Sequence, residues 1–192
     1  MALVKGTNCG FVTVAPVDDP AGSNLIIDNY ARAFKDVAPA GAAKVTEIGW
    51  WCDDASEASD YDVGIYIHDA VNNRPDVLFG SALNNAKGLA SGWKVVSGLN
   101  ITITPGITYW IGVQLDDTPS QTNTNYASFS DQKMDFKSGQ TSLPSPWVSS
   151  DGSRVYLVAF YAVYETGGPE KTVLDYERKT RGVNRGVCRG AA

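Results

Sequence analysis

Between residues 10 and 165 the chain is cut, at intervals of roughly 8–15 positions, into short runs rich in β-branched and aromatic side chains. The cuts fall at "PVDDPAGSN", "VNNRPD", "TPGIT", "DDTPSQTNTN", "LPSPW" and "SSDGS". Gly, Asn and Asp tolerate left-handed backbone and Pro presets the torsion that opens a turn, so each cluster ends the run before it. None of these runs has the 3.6-residue apolar spacing of an amphipathic helix. The spacing predicts strands at 10–15, 29–34, 44–52, 61–68, 77–83, 93–97, 100–104, 108–115, 125–130 and 154–165. That pattern predicts an all-β protein, an antiparallel jelly-roll β-sandwich over residues 1–166.

A chain of 192 residues can bury one substantial core. Strand alternation says which side chains fill it. In "TYWIGVQLDD", Tyr109, Ile111, Val113 and Leu115 share one face, with Trp110, Gly112, Gln114 and Asp116 on the other. In "RVYLVAFYAVYE" both faces are apolar: Val155, Leu157, Ala159, Tyr161 and Val163 on one, Tyr156, Val158, Phe160, Ala162 and Tyr164 on the other. An antiparallel sandwich normally leaves one face of each sheet to water. A two-sided apolar strand therefore needs a second cover, from the chain's own C-terminal arm or from a neighbouring subunit.

Five tryptophans raise the question of sugar binding, because flat aromatic rings stack on pyranoses. Trp50 and Trp51 are neighbours on one predicted strand, so one points inward and the other outward. Trp50, Trp110, Tyr156, Phe160 and Tyr164 form the expected outer aromatic face, suited to a protein contact or to a glycan.

Catalysis finds little support. The sole histidine, His68, sits beside Asp69 at a strand end, with no nucleophile motif to accompany it. Three cysteines and that one histidine, widely spaced, do not form a metal site, and their odd number does not form a disulfide framework. The run "CDDASEASDYD" gathers Asp53, Asp54, Glu57, Asp60 and Asp62, but without the spacing or central glycine of a helix-flanked calcium loop. It reads as a solvated acidic loop. No metal or cofactor is expected, and the protein is expected not to be an enzyme.

Residues 45–117 carry a resemblance. The signals are "VGIY", then a proline-containing turn before "DVLFGSA", then "GW" opening a strand, then "TPGITYWIGVQ". This segment resembles a jelly-roll module of tailed-phage structural proteins, also used as an accessory domain of bacterial surface and secreted proteins. Members of that group resemble carbohydrate-binding modules, virion decorations or fibre components. The resemblance implies a fold type and supplies no ligand residues.

The C-terminal segment differs from the body. From Pro169 onward Lys171, Arg178, Lys179, Arg181, Arg185 and Arg189 face only Glu170, Asp175 and Glu177, although the whole chain carries −5. Residues 169–181 could open a helix at Pro169 and close it at Gly182, and "GVNRGVCRGAA" belongs to no element. The expectation is an extended or partly helical basic docking arm at 167–192. Val173, Leu174 and Tyr176 would supply its few apolar contacts, and Arg178, Arg181, Arg185 and Arg189 would pair with carboxylates of a partner. Nucleic acid is disfavoured by the acidic body.

These features predict a non-enzymatic virion structural protein, a capsid decoration or fibre-type component. Its partners would be other copies of itself and a capsid or tail protein. The alternative is a carbohydrate-binding or adhesin module recognising a surface glycan. The N-terminal "ALVKGTNCGF" lacks the pattern of a secretory signal, and no apolar stretch approaches a membrane span. The expected site of synthesis is the host cytoplasm, with assembly into a virion there.

Overall fold

The structure is a computed structural model that describes residues 1–53, 56–131 and 133–167. Among the described residues there is no helix. The strands are β1 (Gly10–Val12), β2 (Ser23–Ile26), β3 (Tyr30–Val37), β4 (Ala42–Cys52), β5 (Asp60–Asp69), β6 (Arg74–Ala86), β7 (Gly92–Thr102), β8 (Thr108–Leu115), β9 (Asn123–Ser128), β10 (Met134–Ser138), β11 (Gly152–Arg154), β12 (Tyr156–Val158) and β13 (Phe160–Thr166). They form a six-stranded sheet ordered β11-β10-β3-β8-β5-β6, a four-stranded sheet ordered β1-β13-β4-β7, and a three-stranded sheet ordered β12-β9-β2. All pairings are antiparallel except β1 with β13.

The two larger sheets share one core. The predicted stripe of β8, Tyr109, Ile111, Val113 and Leu115, is buried together with Phe34 of β3 and Val63 and Ile65 of β5. The four-stranded sheet contributes Val45, Ile48 and Trp50 of β4 and Phe160 and Ala162 of β13. Two predicted strands, 93–97 and 100–104, are one strand, β7. Gly98 takes left-handed backbone geometry, φ 76°, where the partner register slips between Val45 and Glu47. Such a bulge bends a strand without ending it.

The second predicted face of β8 is also buried, and its cover is internal. Trp110 is 0% exposed and packs with Ala31, Ala33, Tyr66, Leu143 and Trp147 in a separate cluster. Leu143 and Trp147 come from residues 139–151, an irregular strap across the outside of the six-stranded sheet. Hydrogen bonds hold it there: Leu143 N–H donates to Asp62 Oδ2 at 3.0 Å, Gln114 Nε2 to Gln140 O at 2.8 Å, and Trp147 N–H to Asp76 O at 2.8 Å. Because the strap is not itself paired as a strand, its backbone depends on the Asp62 carboxylate and the Asp76 carbonyl of β6 as acceptors and on the Gln114 amide as a donor.

The expectation of one continuous strand at 154–165 is corrected, while burial of both faces holds within β13. The stretch is three short strands, β11, β12 and β13, each in a different sheet. Its alternating faces therefore never form one surface. Phe160 turns into the main core, whereas Tyr161 turns to the other side of the four-stranded sheet and is likewise 0% exposed. There the Tyr161 ring lies over Gly49, where a β-carbon would collide with it, and its hydroxyl donates to Glu47 Oε1 at 2.8 Å. Trp93 packs edge-on against both Tyr161 and Trp51, with ring centres 5.2 and 5.6 Å apart. Cover again comes from the chain itself. The proposed docking-arm residues Val173, Leu174, Tyr176, Arg178, Arg181, Arg185 and Arg189 lie outside the described residues.

Candidate functional site

Lysines on a strand that packs into a core must leave by the outer face, and β3 shows this. Ala31 and Ala33 are buried under the strap, and Lys35, next on the same face, emerges beyond its edge. Lys35 pairs in register with Trp110. Its Nζ stands 6.0 Å from the centre of a Trp110 ring, and Lys133 Nζ stands 5.6 Å from it. The indole thus lies beneath two ammonium groups, and the attraction of its π face helps hold them side by side.

These two lysines open onto a cleft of about 510 Å³. Its remaining walls are Asn73 from the turn after β5, Ser130 and Asp131 after β9, Ser153 and Arg154 of β11, and Val155 and Tyr156. That volume is within the usual range for small-ligand sites. A smaller hollow of about 240 Å³, also lined by Lys5 and Thr108, shares Lys35 and Asp131 with it.

Asn73 organises the cationic wall. Its residue conformation is left-handed, φ 50°, which asparagine tolerates better than most side chains. This turns its Oδ1 toward Lys35 Nζ at 3.0 Å, and its backbone carbonyl accepts from Lys133 Nζ. Lys133 also pairs with the buried Asp135 at 3.1 Å, and Asp135 Oδ2 accepts from Ser150 of the strap at 2.8 Å. Burial, and then the charge of Lys133, hold the Lys35 ammonium below its usual pKa. Arg154 is exposed, with its guanidinium 5.5 Å from the centre of the Phe136 ring and one amino group donating to Ser153 O at 2.9 Å. Tyr156 stacks on Tyr126 with ring centres 4.1 Å apart.

The expected outer aromatic face is largely corrected. Trp50, Trp110 and Phe160 are each 0% exposed, because the sandwich core takes Trp50 and Phe160 and the strap covers Trp110. Tyr164 is half-buried against the core margin. Tyr156 alone of the five lines the cleft. The cationic residues, Lys35, Lys133 and Arg154, were not singled out by the sequence pattern.

His68 has a structural position: Trp110 Nε1–H donates to its Nδ1 at 3.1 Å. Among the described residues no group of three or more His, Cys, Asp or Glu side chains could hold a metal ion. In the acidic loop, Asp62 is buried as an acceptor for Asn84 N–H and Leu143 N–H, and Glu57 accepts from Ser120. Those carboxylates brace the fold. No family model, curated protein or solved structure matches this chain.

Proposed function

We propose that the protein is a non-enzymatic binding module that recognises a surface glycan in the cleft between β3, β11 and the residues Ser130, Asp131 and Lys133. The observation that carries this is the composition of one concavity: Asn73, Ser130 and Ser153 offer hydrogen-bonding groups beside the ring of Tyr156. Sugars present hydroxyls at their edges and apolar C–H faces, so they need that mixture. The alternation of consecutive strands between sheets, from β3 to β4 to β5 and from β6 to β7 to β8, supports a jelly-roll sandwich, an architecture shared by lectin and viral capsid domains. Screening the full chain against immobilised glycans, then repeating the positive wells with Tyr156→Ala and Ser153→Ala, tests it. Binding that both substitutions weaken supports the assignment; absence of any glycan binding refutes it.

A second reading, a capsid decoration or fibre-type virion component, is favoured by a different surface. β6 is the outermost strand of its sheet and leaves Val77, Phe79 and Leu83 exposed, at 46%, 48% and 49%. An apolar outer strand is a natural contact surface for assembly. Light scattering of the full chain at rising concentration tests this. Self-association abolished by Phe79→Glu supports it, and a monomer at every concentration counts against it.

A further inference from the structure

The whole chain carries −5, yet among the nine described residues around the cleft three are cations and one, Asp131, is an anion. The charges are not equally committed. Lys133 is neutralised by Asp135 at 3.1 Å, whereas neither Lys35 nor Arg154 has a carboxylate within ion-pair distance among the described residues. Lys35 uses one of its three N–H donors on the neutral amide of Asn73. Arg154 uses one of its five on a backbone carbonyl, so most of its planar donor fork is unspent. Keeping like charges together and partly buried is unfavourable, as the lowered pKa of Lys35 records. A bound anion would relieve that cost.

We propose that the ligand of this cleft is an acidic sugar, a pyranose bearing a carboxylate or sulfate, with the anionic group between Lys35 and Arg154. This rests on the glycan-binding assignment and specifies its ligand class. Arg154 suits the part because a guanidinium engages a carboxylate or sulfate through two parallel hydrogen bonds. Tyr156 and Val155 line the cleft as its apolar part, and Ser130, Ser153 and Asn73 stand within the same cleft to meet the sugar's hydroxyls. A small ligand with one charge senses mainly the adjacent cations. A long polyanion such as nucleic acid would also meet the repulsion of the acidic body.

Isothermal titration of the full chain with galacturonate trimer, sialyllactose and a sulfated disaccharide, each beside its uncharged counterpart, tests the inference. The expected result is at least about tenfold tighter binding of one acidic member than of its neutral counterpart, with a loss of similar size in Arg154→Gln and in Lys35→Gln. Asp131→Asn removes the opposing charge and is expected to tighten acidic-sugar binding by about threefold, a gain that misfolding cannot mimic. Equal binding of charged and neutral members, weakened by Tyr156→Ala and indifferent to the three charge substitutions, overturns the acidic-ligand inference and leaves the glycan cleft standing. Failure of every saccharide to bind overturns both. Tighter binding of a single-stranded oligonucleotide than of any sugar also overturns both.

Discussion

Trp110 donates its indole N–H to Nδ1 of His68 at 3.1 Å, so the hydrogen bond exists only while that nitrogen carries no proton. Burial, followed by the positive charge of Lys35, holds the imidazole below its ordinary pKa, against the opposing pull of the Arg74 backbone and Asp69. The unfolded chain takes up a proton near pH ~6.5. The folded chain does so only at lower pH, so it binds fewer protons across that window. Stability is therefore present above pH ~6.5 and declines as pH falls through the folded value. Thermal melts between pH ~7.5 and ~5 should show a falling midpoint in the native chain and a shallower fall in His68→Gln. Asp69 and Asp151, held low by hydrogen bonds from Asn72 and Ser138, act in the same direction but in the more acidic carboxylate range. An identical slope in the variant would show that His68 does not contribute.

Gly112 faces the ring of Tyr66 across the outer side of the six-stranded sheet. A β-carbon at this position would lie 2.6 Å from Tyr66 Cε2, in a region closed further by Leu143. Neither neighbour can move freely, because Tyr66 is packed edge-on against Trp147 at 5.4 Å and Leu143 is tied to Asp62. Gly112→Ala is expected to destabilise the fold by about 1–3 kcal/mol through overpacking. Equilibrium unfolding in urea measures it as a lower midpoint with an unchanged slope.

The strap depends on Trp147, whose indole is 1% exposed and whose Nε1–H reaches Ser150 Oγ at 3.0 Å. Trp147→Ala removes the largest side chain covering Trp110 and Tyr66, and the expected loss is about 3–5 kcal/mol. Ser150 also donates to Asp135, the partner of Lys133, so strap and cleft are connected through one carboxylate. The same variant should weaken ligand binding at temperatures where it remains folded. Urea titration and calorimetry on the same sample separate the two effects.

Much of the fold was legible because its signal is local. The inward stripe of β8, the antiparallel strands and the turn clusters follow from alternation and from residues that favour turns. The missed strands, β2 "SNLI" and β10 "MDFKS", are short and mixed in polarity, and pairing partners define them rather than pattern. The strap was invisible for a related reason. "LPSPW" reads correctly as irregular chain, but nothing local says that Leu143 and Trp147 lie on the face left open by Trp110. The same non-local assembly hid the cleft, whose Lys35, Asn73, Lys133 and Arg154 come from four separated segments. Tyr156 is legible as an outer aromatic, but its place at the cleft follows from the passage of the 154–165 stretch between sheets, which no local pattern encodes.

Cys9 is 0% exposed, between the N-terminal turn and the main core. Desolvation, reinforced by the nearby Asp36 and only partly offset by Lys5, pushes its thiol pKa up to about 12. Thiolate is the reactive species, so this sulfur should be inert at neutral pH for both steric and electrostatic reasons. Iodoacetamide treatment followed by peptide mapping is expected to leave Cys9 unmodified in the native protein and to label it fully in urea. Asp36 anchors this region by accepting Phe11 N–H at 2.9 Å and pairing with Lys5 at 2.6 Å. Asp36→Asn removes the charge that raises the thiol pKa and holds Lys5 across the turn, and it sets an NH2 against one of the two backbone N–H groups, of Phe11 and Val37, that the carboxylate accepts. Local opening should then become more frequent and Cys9 labelling faster, together with a lower global unfolding midpoint from the buried N–H left unpaired. Equal labelling of Cys9 in native and unfolded protein would show that the N-terminal segment does not pack as described.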